Sequence, residues 1–322
     1  MNIAIASAIH PQDTEVCLSP TESAIIRTLL YFEIFSHPLT LDDIINCLSI
    51  PVTDRTYIVR VIEELVQQGY IKKCDGYYLI HGSPEIIERR KNGEKLARKS
   101  LKTAKRFSSL IAHFPFVRAI CLSGSISKYY MDEKSDIDYF IITTAGRMWV
   151  ARTLLVLFKK IFLLNSKKYF CVNYFITEES LYVSTQNIYA AMEMSSIVPT
   201  YNYPLYKSLL RENNWIKKYY PNFPIRGKEW VIQKRKYFLK PVLEKIFGGK
   251  TGERLDKFCY RLTLNHWKKK FSHFDESTFD HRLRNGRNES KHHPLGYQQK
   301  VLEKLEQKIR QFEVANGLIL SE

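Results

Sequence analysis

The stretch Leu122–Lys128 reads Leu-Ser-Gly-Ser-Ile-Ser-Lys, and Ser135–Thr143 reads Ser-Asp-Ile-Asp-Tyr-Phe-Ile-Ile-Thr. The second segment predicts a strand, because apolar residues follow its two acids. Side chains alternate faces along a strand, so Asp136 and Asp138 are expected to point the same way. Two carboxylates in one small volume repel each other, which favours a divalent cation between them. Mg²⁺ is the expected ion, since it takes one or two carboxylates and completes its shell with water and substrate phosphates.

The apolar run at residues 116–122 predicts a buried strand that ends at Ser123, where a helix is expected to begin. Gly124 would let a ligand approach the backbone closely, and the Ser125 hydroxyl would add a hydrogen-bond donor. Lys128, one turn further on, would add positive charge. Because N–H groups at the start of a helix favour phosphate, these residues predict a nucleotide-binding loop.

A Gly-Ser pair, a spacer of ten residues and an Asp-x-Asp followed by aliphatic residues resemble the signature of the DNA polymerase beta-like nucleotidyltransferase superfamily. The resemblance covers roughly residues 115–178. The chain as a whole also resembles bacterial proteins that join an N-terminal winged helix to such a catalytic domain.

This resemblance implies an α+β fold in which a mixed sheet with flanking helices carries the site. It also implies that Gly124 and Ser125 hold the nucleotide phosphates while Asp136 and Asp138 ligate magnesium. An acceptor hydroxyl or similar nucleophile would attack the α-phosphorus of a nucleoside triphosphate, and pyrophosphate would leave.

The sequence departs from the superfamily pattern at the third carboxylate, which relatives commonly supply from a later strand. The best candidate strand, residues 168–176, carries Asn173 at its centre. An amide has a carbonyl oxygen for a cation but no charge, and it does not act as a base. Three interpretations stay open: Asn173 is a weak ligand, another acid substitutes for it, or the site binds nucleotide without turnover. The candidate substitutes are Glu178, Glu179 and Glu193. A second departure is Tyr129, where many relatives have Gly.

Composition narrows the class of protein. The 322 residues are 45% hydrophobic, enough for two or three domains with real cores. Six scattered cysteines show no zinc-site spacing and are expected to be reduced. The N-terminus lacks the features of a secretory signal, and the most apolar segment, residues 154–164, is interrupted by lysines and too short to span a bilayer. We therefore expect a cytoplasmic protein without a membrane partner.

Four regions are predicted: a winged-helix-like domain at 1–82, a basic linking helix at 83–114, a nucleotidyltransferase core at 115–224 and a basic helical region at 225–322. The formal charge is +16 overall. Lys and Arg number 5 against 10 Asp and Glu in residues 1–80, and 22 against 12 in residues 225–322. Any attraction for polyanions should therefore lie outside the N-terminal domain.

The N-terminal region predicts three helices, ending near residues 35, 48 and 69, and then a hairpin around Cys74 and Asp75. This order resembles a winged helix, whose third helix enters the DNA major groove in many proteins. The acidic charge of the region favours a structural or partner-binding role over DNA binding, because Lys and Arg supply much of the affinity for DNA.

Further segments have two interpretations each. The linking helix presents either a solvated basic face or a contact surface for an anion. Glu193, in a predicted helix at 187–198, faces either solvent or the metal site. An irregular basic loop is predicted at 282–294, where Arg284, Arg287 or Lys291 would contact a triphosphate or an acceptor.

Two functions remain. The first is a magnesium-dependent nucleotidyltransferase whose acceptor is a small molecule, a protein side chain or an RNA end. The second is a non-catalytic regulator that senses nucleotide and binds DNA or protein through the winged helix. The intact Asp136 and Asp138 favour the enzyme, whereas Asn173 favours the regulator.

Overall fold

A mixed five-stranded sheet carries the residues of the signature stretch. In the computed structural model, which describes residues 16–233, 238–283, 285–292 and 295–321, the strand order is β8-β5-β6-β7-β9. β6 and β7 are parallel, and the other neighbours are antiparallel. The strands are β5 (Val117–Ser123), β6 (Asp138–Thr143), β7 (Cys171–Thr177), β8 (Val198–Tyr201) and β9 (Glu289–Lys291).

Helices cover both faces of this sheet, because its strands are apolar on both sides. Tyr139 and Ile141 of β6 enter one core, together with α4 (Pro84–Ile111), α6 (Met148–Phe162) and α10 (Gly249–Lys270). Phe140 and Ile142 enter the other core. That second core also holds residues of α7 (Ile188–Ser196), α8 (Tyr203–Glu212) and α12 (Tyr297–Asn316). The predicted α+β class with a mixed sheet and flanking helices is confirmed, with 54% helix and 14% strand.

α6 is the crossover between the parallel strands β6 and β7, as the βαβ arrangement requires. The buried carboxylate of Asp256 on α10 accepts hydrogen bonds from the backbone N–H groups of Trp149 and Val150, at 2.8 and 3.0 Å. An acid at this place satisfies donors that the first turn of a helix leaves unpaired. The contact also fixes α10 against the core.

Three helices and a hairpin form the N-terminal region. Ser19 and Glu22 make a capping box at the start of α1, and Asp75 and Gly76 turn the hairpin with φ values of 51° and 79°. The hairpin strands form a small sheet of order β2-β4-β3. The elements are α1 (Pro20–Glu33), β2 (Leu39–Thr40), α2 (Leu41–Cys47), α3 (Arg55–Gln67), β3 (Lys72–Cys74) and β4 (Tyr77–Leu79).

The second core of the sheet continues into this N-terminal region without a break. Ile25 of α1, Ile62 of α3, Met192 of α7 and Leu305 of α12 belong to one buried cluster. The N-terminal helices are therefore packed on the core of the five-stranded sheet and on α12, rather than joined to them by a linker alone.

The two ends of the described chain pair with each other. β1 (Val16–Leu18) lies parallel to β10 (Leu318–Leu320), and Arg27 donates hydrogen bonds to the carbonyl oxygens of Leu320 and Ser321, at 3.1 and 3.3 Å. α1 also packs against α12. The remaining helices are α5 (Gly124–Ser127), a 3-10 helix (Asn214–Lys218), α9 (Leu239–Ile246) and α11 (Glu276–Arg282).

Two local features differ from what the phosphate argument needed. The helix expected after Ser123 does begin at Gly124, but it has only four residues and so offers little dipole. The loop predicted at 282–294 contains β9, which pairs with β7 at the edge of the sheet. Within the described ranges, no helix combines the length and apolar character needed to cross a bilayer.

Candidate functional site

Asp138 and Gly124 meet where β5 ends and β6 begins. Asp138 is paired with Ser123 in the antiparallel ladder, which brings the residue after Ser123 against the carboxylate. Gly124 has a φ of +69°, and a Cβ atom added to it would lie 2.6 Å from Oδ2 of Asp138. Only glycine combines this backbone conformation with this approach. The spacing in the sequence therefore corresponds to a real contact between loop and acid.

Asp136 lies two residues before β6, separated from Asp138 by the buried Ile137 of the α4–α6 core. The pKa of Asp138 is raised to about 6, above all by burial and then by the charges of Asp136 and Glu193. A hydrogen bond from the Cys171 thiol and the charge of Lys128 act in the opposite direction. The two acids thus interact as like charges, as their alternation along the chain predicts.

Asn173 lies beside Asp138 on the neighbouring strand β7. Its Nδ2 atom donates to Oδ1 of Asp138 at 3.1 Å and lies 2.9 Å from Sγ of Cys171. Cys171 is the residue that pairs with Asp138, and the register of the two strands shifts so that Asn173, two positions further along β7, has no partner on β6. A rotation of the amide by half a turn would present its carbonyl oxygen at the same place.

Of the three candidate substitute acids, the structure brings Glu193 to the site. Glu193 projects from α7, and its Oε1 atom lies 2.8 Å from Nζ of Lys128. Glu178 and Glu179 follow the far end of β7, about 20 Å along the strand from the residue that pairs with Asp138. They do not belong to this site.

Lys128 and Tyr129 complete the loop in a way that the sequence did not indicate. Nζ of Lys128 donates to the carbonyl oxygen of Gly124 at 3.2 Å in addition to its ion pair with Glu193. The positive charge predicted to bind phosphate is therefore already paired. Tyr129 has a φ of 54°, and its ring lies 4.9 Å from the guanidinium of Arg226. This left-handed backbone explains why glycine would suit the position.

The loop is also attached to the linking helix α4. The ring of Tyr130 occupies the space that a side chain at Gly93 would fill, and Met131 donates to the carbonyl oxygen of Gly93 at 3.2 Å. Arg90 is 4% exposed and donates to the carbonyl oxygen of Tyr129 at 3.3 Å. It also pairs with Glu94 at 2.9 Å. This part of α4 is therefore a packed support for the loop and not a solvated face.

The N-terminal region reaches the same loop. The rings of His37 and Tyr130 meet edge to face, with centroids 5.7 Å apart. Burial lowers the pKa of His37, and the charges of Arg90 and Lys128 lower it further. No signal in the sequence pointed to this contact, because it joins residues that are about ninety positions apart.

Of the basic residues in the C-terminal region, Lys291 lies beside the site and Arg287 does not. His292 donates its backbone N–H to the carbonyl oxygen of Asn173 at 3.0 Å, and Nζ of Lys291 lies 5.9 Å from the ring of Tyr174. Arg287 precedes β9, whose first residue pairs at the opposite end of β7. Arg284, also predicted to contact the substrate, lies outside the described residues.

The donor set fits a hard cation. Asp136 and Asp138 supply carboxylate oxygens, Asn173 supplies an amide oxygen after rotation, and Gly124 leaves the space beside Asp138 open. Among the described residues, no group of three or more His, Cys, Asp or Glu side chains is placed to hold a metal ion. The site would therefore need oxygens from a substrate to complete the shell of Mg²⁺.

Comparison with known proteins gave no relative. No protein-family model matches the chain, and no curated protein or solved structure shows significant similarity to it.

Proposed function

We propose that this protein is a magnesium-dependent nucleotidyltransferase of the DNA polymerase beta-like type, with a winged-helix-like N-terminal region. The observation that carries the proposal is the contact between Gly124 and the Asp138 carboxylate, with Asp136 adjoining. A glycine loop that lies directly against a pair of acids suits a ligand that carries both phosphate groups and a divalent cation.

In this proposal the loop from Gly124 to Ser127 positions the phosphates of a nucleoside triphosphate, and the Ser125 hydroxyl donates to them. Asp136 and Asp138 hold Mg²⁺, with Asn173 as a third, uncharged oxygen donor. Bound there, the ion would neutralise charge on the phosphate oxygens. The acceptor oxygen forms a bond to the α-phosphorus, the bond to the bridging oxygen breaks and pyrophosphate leaves.

Glu193 is the carboxylate that supports turnover in place of the missing third acid. It is held by Lys128 on the Asp138 side of the sheet, and its charge already acts on Asp138. When phosphate charge draws Lys128 away, Glu193 is left to accept the proton of the acceptor.

A second candidate is a nucleotide-sensing regulator without catalysis. Two observations favour it. The hydrogen bond from Asn173 occupies Oδ1 of Asp138, an oxygen that would otherwise be free to bind the metal ion, and His37 of the N-terminal region packs against Tyr130. In this case nucleotide binding at the loop would be felt by the N-terminal helices, which would bind DNA or protein.

Thermal stabilisation tests both candidates. Each nucleoside triphosphate is added with Mg²⁺ or with EDTA to the wild type, to Asp136→Ala/Asp138→Ala and to Glu133→Gln, an exposed acid nearby. We expect a magnesium-dependent rise in Tm for the wild type and for Glu133→Gln, and none for the double variant. No rise with any triphosphate would contradict both candidates.

Transfer is tested next, with α-labelled nucleotide and a cell extract. Label that remains attached to RNA, protein or a small molecule supports the enzyme and identifies the class of acceptor. Magnesium-dependent binding without any transferred label would favour the regulator. Glu193→Gln should keep the Tm rise but lose transfer if Glu193 takes the proton.

A further inference from the structure

Arg152 on α6 is a buried cation with unused hydrogen-bond donors. Only 8% of its surface is exposed, and its Nε atom is fully buried without a hydrogen-bond partner. Across residues 16–233, 238–283, 285–292 and 295–321, no side chain or carbonyl group accepts a hydrogen bond from this guanidinium or forms an ion pair with it. A guanidinium has five N–H donors, and burying them unpaired is unfavourable.

The other buried cations of the described chain show what is missing. Arg90 pairs with Glu94 and donates to a carbonyl oxygen, and Lys240 donates to the carbonyl oxygens of Ala112 and Val117 at 3.0 and 2.6 Å. Each has oxygen acceptors for some of its N–H donors, as buried charges generally do, although the Nε atom of Arg90 is also buried without a partner. Arg152 departs from the pattern that this chain follows elsewhere.

Aromatic rings surround Arg152 where an acid would be expected. Its guanidinium carbon lies 4.8 Å from the ring centre of Trp267 and 5.7 Å from that of Trp149. The His292 ring lies 5.0 Å from Trp267. The buried acid of the neighbouring helix, Asp256, is aimed at the start of α6. The two indole rings hold the guanidinium plane but provide no acceptor for its N–H groups.

The surroundings of Arg152 are positively charged. No Asp or Glu occurs between Asp138 and Glu178, whereas α6 and the turn after it carry lysines. Burial lowers the pKa of Arg152 to about 10. Burial also lowers the pKa of Lys159, seven residues later on α6; the charges of Lys167 and Arg152 add to the effect, and those of Cys171 and Asp136 oppose it. Both cations would be stabilised by an anion.

We propose that Arg152 binds an oxyanion, namely a terminal phosphate group, at a site separate from Asp138. The guanidinium fork matches two phosphate oxygens at once, and a doubly charged group compensates the positive surroundings best. Trp149 and Trp267 are 1% and 4% exposed, so they are not platforms for a base, and the low exposure of Arg152 itself favours the end of a ligand over an internal phosphodiester. α6 lies on the face of the sheet opposite to Phe140 and Ile142, hence away from Asp138.

The test uses inorganic phosphate in EDTA, which excludes binding through a metal. The wild type, Arg152→Met and Lys160→Met, an exposed cation on the same helix, are melted with and without phosphate at constant ionic strength. We expect the Tm of the wild type and of Lys160→Met to rise by roughly 3 °C at about twenty times Kd, and that of Arg152→Met to stay constant. Asp136→Ala/Asp138→Ala should keep the rise, which separates this site from the proposed active site.

The melting temperature without phosphate gives an independent result. If the charge of Arg152 is uncompensated until an anion binds, Arg152→Met should have a higher Tm than the wild type, because the substitution removes an unpaired buried charge. A lower Tm, or a variant that does not fold, would show that the arginine is structural and would overturn the proposal. So would a wild type that does not respond to phosphate.

Other anions and a chemical probe complete the experiment. Glycerol phosphate should act like phosphate, whereas dimethyl phosphate and acetate should have no effect; an equal effect of acetate would assign the site to carboxylates instead. In the wild type, phosphate should also protect Arg152 from modification by phenylglyoxal, read by mass spectrometry. Unchanged modification would contradict binding at this residue.

Discussion

Single residues at the site are determined by contacts that are a few ångströms long. Gly124 has the left-handed φ of +69°, and the nearest atom to an added Cβ is a carboxylate oxygen of Asp138. Gly69 has a similar φ of +83°, but nothing lies within 4 Å of its added Cβ. The pair therefore separates backbone strain from the close approach to the acid.

Gly124→Ala should destabilise the protein more than Gly69→Ala does. Both variants bear the cost of a left-handed alanine, about 1 kcal/mol, and only Gly124→Ala also displaces a carboxylate. Urea denaturation measures both free energies of unfolding. In an Asp138→Ala background the excess cost at Gly124 should disappear; an unchanged excess would mean that the acid is not what the glycine accommodates.

Asp138 predicts a pH dependence with a definite sign. Its pKa is raised from 3.8 to about 6, so the folded state binds this proton more tightly than the unfolded state does. Stability then falls as pH rises from about 4 to 6, and the full penalty, at most about 3 kcal/mol, applies above pH 6. In EDTA, Asp138→Asn should be more stable than the wild type at pH 7.5 and nearly equal to it at pH 3.5.

The measurement is urea denaturation at the two pH values, with Glu133→Gln as an exposed control that should show little pH-dependent difference. If Asp138→Asn stabilises the protein equally at both pH values, burial does not destabilise the charged form of Asp138.

Residue types and spacing in the chain predicted part of this site. Glycine followed by serine and two alternating acids are visible in the sequence, because each lies within a few positions of a strand end. The pairing of Lys128 with Glu193, 65 positions later, is not visible, since it depends on how α7 crosses the sheet. The sequence also does not show that Arg152 lacks a hydrogen-bond acceptor, because this depends on which residues the fold places around it.

At the level of elements, local patterns predicted helices and strands well, and their packing less well. The third helix and the hairpin turn at Asp75 are confirmed, because caps, turns and apolar periodicity are local signals. The many basic residues on α4 did not show whether this helix faces solvent or packs against the rest of the protein. Arg90 is one of several basic residues on α4, and the sequence does not distinguish it from its exposed neighbours. It is buried because the loop at Tyr129 packs against it.

Arg90→Ala should destabilise the protein by about 2 kcal/mol, since it removes the buried partner of a half-buried Glu94 and leaves the carbonyl oxygen of Tyr129 without its donor. Arg98→Ala, on the exposed side of the same helix, should change stability by less than about 0.5 kcal/mol. Chemical denaturation compares the two. If both substitutions change the free energy of unfolding by the same small amount, α4 presents a solvated basic face at Arg90 as well.

Over the whole molecule, the N-terminal helices, the core sheet and the last helix share one apolar cluster. The sequence suggested separate regions, because charge changes sharply between them. Charge reports on the surface, however, whereas the continuity of the core depends on apolar faces that meet only in the folded chain. A shared core predicts that damage at one end of the chain is felt at the other.

The last strand, β10, tests this coupling through its alternation. Leu318 and Leu320 are both 3% exposed, whereas Ile319 between them is 43% exposed. Leu320→Ser should cost about 3 kcal/mol through lost burial and an incompletely filled space, and Ile319→Ser much less. Because β10 pairs with β1 and packs beside α1, Leu320→Ser should also speed hydrogen exchange in α1, some 290 residues away in sequence. If exchange in α1 is unchanged while Tm falls, the ends of the chain unfold independently of the N-terminal helices, and the shared core does not act as one cooperative unit.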